Sequence, residues 1–171
     1  MKEIDFFDLE TRETPREILE SDFPSLGKLP IKGGWGYDQG TACVIDKNDP
    51  TVDPRMAFDG VSIEYVFAEY RIYEELIVFR PKGRQYAGIR HRILNQKLLG
   101  LDGRRYDKLT FEIQAFREED FERLKLIYEG PDGVRSPSFD ASGHEELHNS
   151  LLHIGVREYW FDITSFFGNG T

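Results

Sequence analysis

Apolar and polar positions along this chain of 171 residues change spacing from one segment to the next, and each spacing predicts a different local structure. Residues 14–20 carry a helix-start signature: Thr14 as N-cap, Pro15 at the first helical position, and Glu17 three residues after the cap. Pro24 ends that helix. From residue 26 to 60 the periodicity is lost. Gly27, Gly33, Gly34, Gly36, Gly40 and Gly60 are interleaved with Pro30, Pro50 and Pro54, and only Thr41-Ala42-Cys43-Val44-Ile45 reads as a short strand. A loop-rich stretch this long is unusual in a compact protein and draws attention as a functional segment.

The densest apolar run, 61–79, is rich in β-branched and aromatic residues, which favours strand. It has no Gly, Pro, Asn or Asp on which to turn. As one strand it would extend roughly 60 Å at ~3.3 Å per residue, against a radius of gyration of ~15–16 Å for a domain of this size. The run is therefore expected to be a helix over about 60–74, followed by a strand through Leu76-Ile77-Val78-Phe79 that Pro81 stops. On the helix, Ile63, Val66, Tyr70, Tyr73 and Ile77 share one face, and Glu64, Ala68, Arg71 and Glu75 share the other. The first face is the one expected to be buried.

The next segment reads as a hairpin. Ile89, His91 and Ile93 alternate with Arg90, Arg92 and Leu94; Gly100-Leu101-Asp102-Gly103 supplies the turn; Leu109, Phe111 and Ile113 alternate on the return. Residues 117–128 then shift to a helical period, with Phe121, Leu124 and Tyr128 on one face. A second loop covers 130–143. Leu147, Leu151 and Ile154 mark another helix that Gly155 closes, Tyr159, Phe161 and Ile163 alternate in a C-terminal strand, and 168–171 is a frayed tail. The expected fold is α+β: a mainly antiparallel sheet with three to four helices, in one compact domain over 1–171 with a long Gly/Pro-rich loop at 26–60.

Composition narrows the functional classes. Hydrophobic residues make up 39 % of the chain and aromatics 13 %, enough for a sizeable core and against disorder of the whole chain. No run approaches the ~18 apolar residues of a membrane helix, and the acidic start lacks a signal-peptide core, so a cytoplasmic location is expected. The single Cys43 forms no internal disulfide and no multi-cysteine zinc site; among Ala42, Val44 and Ile45 it reads as a small buried hydrophobe. The net charge is −9, but it is unevenly spread. Nine basic residues between 80 and 108 face two acids, a balance of +7, which leaves 13 basic and 29 acidic residues, or −16, for the rest.

One motif carries named chemistry. His144-Glu145-Glu146-Leu147-His148 fits H-E-x-x-H, and over these five residues the chain resembles the zinc metallopeptidases. The resemblance implies zinc held by His144 and His148 and Glu145 as general base on a metal-bound water. Ser142 followed by Glu145 also reads as a capping box, which gives Glu145 a structural role. The third ligand such a site needs has no sequence signal, Glu158 and Asp162 being the nominees.

Two weaker constellations remain. In Gly33-Gly34-Trp35-Gly36-Tyr37 the glycines let the backbone turn and can present Trp35 and Tyr37 to a partner. Arg90 and Arg92 share a strand face near Tyr86 and Tyr106, a basic stripe that suits an anionic ligand, although −9 overall repels nucleic acid. The reading that fits best is a non-enzymatic protein-interaction or inhibitor protein, comparable in class to immunity proteins, with a protein partner and Trp35 and Tyr37 as anchor. A zinc hydrolase and an anion- or nucleic-acid-binding hairpin are the alternatives.

Overall fold

A computed structural model of the chain describes residues 1–129 and 140–168. The tail residues 169–171 and most of the second predicted loop, 130–139, lie outside them. The described elements are β1 (Lys2–Glu3), α1 (Pro15–Asp22), β2 (Ile31–Gly33), β3 (Cys43–Ile45), α2 (Gly60–Tyr73), β4 (Tyr86–Leu101), β5 (Arg104–Arg117), α3 (Glu118–Glu129), α4 (Ala141–Leu151) and β6 (His153–Asp162). The architecture is α+β, with four α-helices among the described residues and a six-stranded sheet in the order β2-β3-β6-β5-β4, β1 also pairing with β6. β2 runs antiparallel to β3, while β1 and β3 run parallel to β6. The β4–β5 hairpin turns on Asp102 and Gly103, with φ of 52° and 76°, the positive pair that a two-residue hairpin turn needs. No helix among the described residues is long and apolar enough to cross a membrane.

Contacts divide the chain into two compact units, each assembled from separated segments, and β4, β5 and β6 contribute residues to both. The first comprises Met1–Phe7, Glu74–Arg92 and Glu112–Val156. Its apolar centre is Phe116, Leu124 and Leu152, with Phe121, Leu147, Leu151 and Ile154 packed around them. A polar clamp holds its N-terminal segment. Arg80 Nη1 and the Tyr86 hydroxyl donate to Asp5 Oδ1 at 2.9 and 2.8 Å, and Arg80 Nη2 donates to the Asp5 carbonyl at 2.7 Å. Partial burial alone would raise the Asp5 carboxyl; the bonds from Tyr86 and Arg80 and the charges of Arg80 and Arg117 outweigh it and hold the group at about 2.

The expected strand at 76–79 is a π-helical turn instead, Glu74–Val78, continuing from α2. The Phe79 N–H reaches back five residues to the Glu74 carbonyl at 2.9 Å. Side chains then occupy carbonyls that a strand partner would have taken: Arg80 Nε donates to Glu75 O at 2.8 Å and Gln85 Nε2 to Ile77 O at 2.9 Å. A four-residue apolar run has no periodicity that separates these outcomes. The last helix also differs from expectation. Asp140, not Ser142, caps it through the Gly143 N–H at 2.9 Å, and it ends at Leu151, so Ile154 and Gly155 belong to β6.

The second unit comprises Asp8–Tyr73, Ile93–Phe111 and Arg157–Thr171, described here to residue 168. The predicted capping box of α1 is present in both directions between Thr14 and Glu17. Cys43 pairs in register with Phe161 and is fully buried. α2 reverses the expected face: Glu64, Ala68 and Arg71 are buried with Phe67 and Ile72, whereas Ile63, Val66, Tyr70 and Tyr73 are half-exposed. Arg71 explains the reversal. Its Nη1 donates to the carbonyls of Trp35 (3.2 Å) and Gly36 (3.1 Å) and its Nη2 to that of Glu158 (3.0 Å). The guanidinium lies between the rings of Tyr37 and Tyr159, at 4.2 and 3.6 Å from their centroids. Glu64 is stabilised differently. Burial, then its hydrogen bond to Asp107 and that neighbour's charge, push its carboxyl up to about 10.

Two outcomes are expected from this arrangement. Arg71→Met removes the guanidinium's bonds to the carbonyls of Trp35, Gly36 and Glu158, of which Gly36 keeps the Trp160 N–H, and lowers stability by about 3 kcal/mol, read from the urea midpoint. Between the ordinary carboxylate range and pH 10 folded Glu64 keeps a proton that the unfolded chain releases, so Glu64 makes stability fall as pH rises through that window. Glu64→Gln removes this slope: in thermal melts the variant gains most over the parent at pH 9 and least at pH 5.

Candidate functional site

The first unit contains a cavity of about 450 Å³, within the range of sites that hold small molecules or a few side chains. Its floor is sheet: Gly88, Ile89 and Arg90 from β4, Gln114 and Phe116 from β5. One wall is α3, whose residues Phe121, Leu124, Lys125, Tyr128 and Glu129 recur at three- and four-residue spacing and so share a face. The other wall is His144 and His148 of α4, with Leu152 beyond the helix end. Gly88 has φ of 60°, and a Cβ there would lie 2.6 Å from the Phe121 ring and 3.2 Å from that of Phe116. Glycine is thus needed both for the backbone and for the closeness of the aromatic wall.

The two histidines come together on the same side of α4, as their spacing requires, but their neighbours are aromatic. His144 packs against Tyr128, centroids 5.4 Å apart, with Nε2 3.4 Å from the Leu124 carbonyl. His148 meets Phe116 edge to face at 4.9 Å. Among the described residues no group of three His, Cys, Asp or Glu side chains is placed to hold a metal ion. Glu145 is exposed on the α4 surface. The nominated third ligands are engaged elsewhere, Glu158 with Lys108 at 3.0 Å and Asp162 with Arg104. Arg90 and Lys125 line the cavity together with the histidines, so a dication would enter against two positive charges.

The basic stripe divides. Arg92 is bonded to Glu112 through Nε and Nη2 at 3.1 and 3.3 Å, which lowers the Glu112 carboxyl. Arg90 is exposed and faces the cavity with no ion pair among the described residues. Arg80, Arg104 and Lys108 pair with Asp5, Asp162 and Glu158, all acids from outside 80–108. Folding therefore neutralises much of the +7 segment internally.

Trp35 and Tyr37 are not a presented pair. Trp35 is 4 % exposed, its Nε1 donates to Thr11 Oγ1 at 3.1 Å, and its ring lies against Phe67. The Tyr37 hydroxyl accepts the Leu9 N–H at 2.8 Å while Arg71 and Arg157 face its ring. The burial energy of the Trp35 ring exceeds what a glycine-rich loop gains by exposing it. The sequence reading missed Lys125, Phe116 and Gln114. Phe121, Leu124 and Tyr128 already shared a predicted face, but no local signal shows that this face borders a cavity.

Filling the floor should close the site. Gly88→Val is expected to lower the melting temperature and to displace the Phe121 ring, seen as altered aromatic resonances in NMR; an unchanged spectrum would mean the cavity wall is not in contact with Gly88. No protein family, no curated protein and no solved structure matches this chain.

Proposed function

We propose that this chain is a non-enzymatic, cytoplasmic protein-interaction protein, of the kind that inhibits or neutralises its partner, and that it docks through α3. The observation that carries the reading is the run Leu126-Ile127-Tyr128. These three consecutive apolar residues are 67 %, 41 % and 47 % exposed, on a helix whose neighbouring face lines the cavity. Exposed apolar side chains beside a concave site are what a protein partner covers. The reading replaces Trp35 and Tyr37 as anchor with residues that are in water. A reducing compartment suits a lone, buried and unpaired Cys43.

Leu126→Asp with Ile127→Asp tests it. Both side chains are exposed, so the cost is confined to helix propensity and to two charges in the last turn of α3, about 1–2 kcal/mol, and the chain should remain folded. A partner retained from the native host by the parent chain should be lost by the variant. Equal retention would place the interface elsewhere.

A further inference from the structure

We infer that the cavity beside α3 receives an acidic side chain of the partner, flanked by an aliphatic or aromatic residue; this rests on the docking reading above and assigns its chemistry. The charge argument is local. Among the described residues Arg90 and Lys125 approach the cavity from β4 and α3 and form no ion pair, and Glu129 is the one acid that lines it. Covering two cations with a partner is costly unless the partner supplies an anion. Lys125 and Arg90 are themselves exposed, so free rotation lets either meet a carboxylate at the mouth. The net charge of −9 does not prevent this, because at physiological salt it is screened beyond ~8 Å, and the acids Glu122, Glu145 and Glu146 do not line the cavity.

The walls specify the remainder of the ligand. Phe116 and Phe121, their centroids 6.2 Å apart, line it together with Leu124 and Leu152 and suit an apolar body. His144 and His148 line the remaining side. The volume of about 450 Å³ accommodates roughly two or three side chains, not a folded element. A short acidic-apolar sequence on the partner is the occupant that satisfies charge, shape and size together.

The test uses the full chain and two dyes with the same aromatic body, anionic 8-anilinonaphthalene-1-sulfonate and neutral N-phenyl-1-naphthylamine. The anionic dye should bind about tenfold more tightly. Arg90→Gln with Lys125→Gln should abolish that preference without moving the folding midpoint. The blocked peptide acetyl-Leu-Glu-Phe-amide should displace the dye, and acetyl-Leu-Gln-Phe-amide should not. Equal binding of the two dyes, or a preference that survives the double substitution, overturns the assignment. Displacement by free 1-naphthoate but by neither peptide overturns the partner side chain in favour of a small organic anion. The docking reading fails by a separate measurement, partner retention by the Leu126→Asp, Ile127→Asp chain, whose dye preference should equal the parent's.

Discussion

The constraint on which the second unit depends is the solvation of one buried cation. Arg71 has no water to hydrate it and takes three backbone carbonyls and two tyrosine faces instead. Those carbonyls lie on the glycine-rich segment and on β6, so the guanidinium joins an irregular loop to the sheet. Gly36 completes the arrangement. Its carbonyl accepts the Trp160 N–H at 2.8 Å, and any Cβ at this position would lie 2.9 Å from the Trp160 carbonyl. Once the loop is held there, Trp35 has no route outward. The fate of the predicted anchor is thus decided by a residue on α2, far away in sequence.

What was legible in the sequence was local chemistry. Thr14, Pro15 and Glu17 define the start of α1 because the capping contacts span three residues. Asp102 and Gly103 define the hairpin because only certain residues tolerate positive φ at both turn positions. What was not legible required a partner distant in sequence. The buried face of α2 contains Glu64 and Arg71, and hydropathy assigns both to water; only Asp107 and the carbonyls of residues 35, 36 and 158 make their burial tolerable. The continuation of that helix into a π turn likewise depends on Arg80 and Gln85 reaching back to it. The cavity was half visible: the α3 face and the histidine pair were each named, but not that they line the same space.

The charge pattern changes meaning on folding. In the sequence, a basic hairpin stands apart from an acidic remainder, which suggests a strongly bipolar molecule. In the structure, Asp5, Glu112, Glu158 and Asp162 are brought to Arg80, Arg92, Lys108 and Arg104. The segment therefore spends much of its charge on internal pairing, and Arg90 is left at a concave site with no ion pair among the described residues. The more exposed pair, Arg92 with Glu112, contributes little to stability, whereas the buried Arg80 and Asp162 need their partners.

The burial of Cys43 has a practical corollary. Its thiol is fully buried on a strand in register with Phe161 of β6, and burial raises its pKa well above that of a free cysteine. A thiol-reactive reagent can modify it only in molecules in which the packing around β3 has opened. The rate of labelling under native conditions is therefore a built-in gauge of how often this part of the sheet opens, and it needs no added probe. Because the chain has one cysteine, every such event is reported from a single known place.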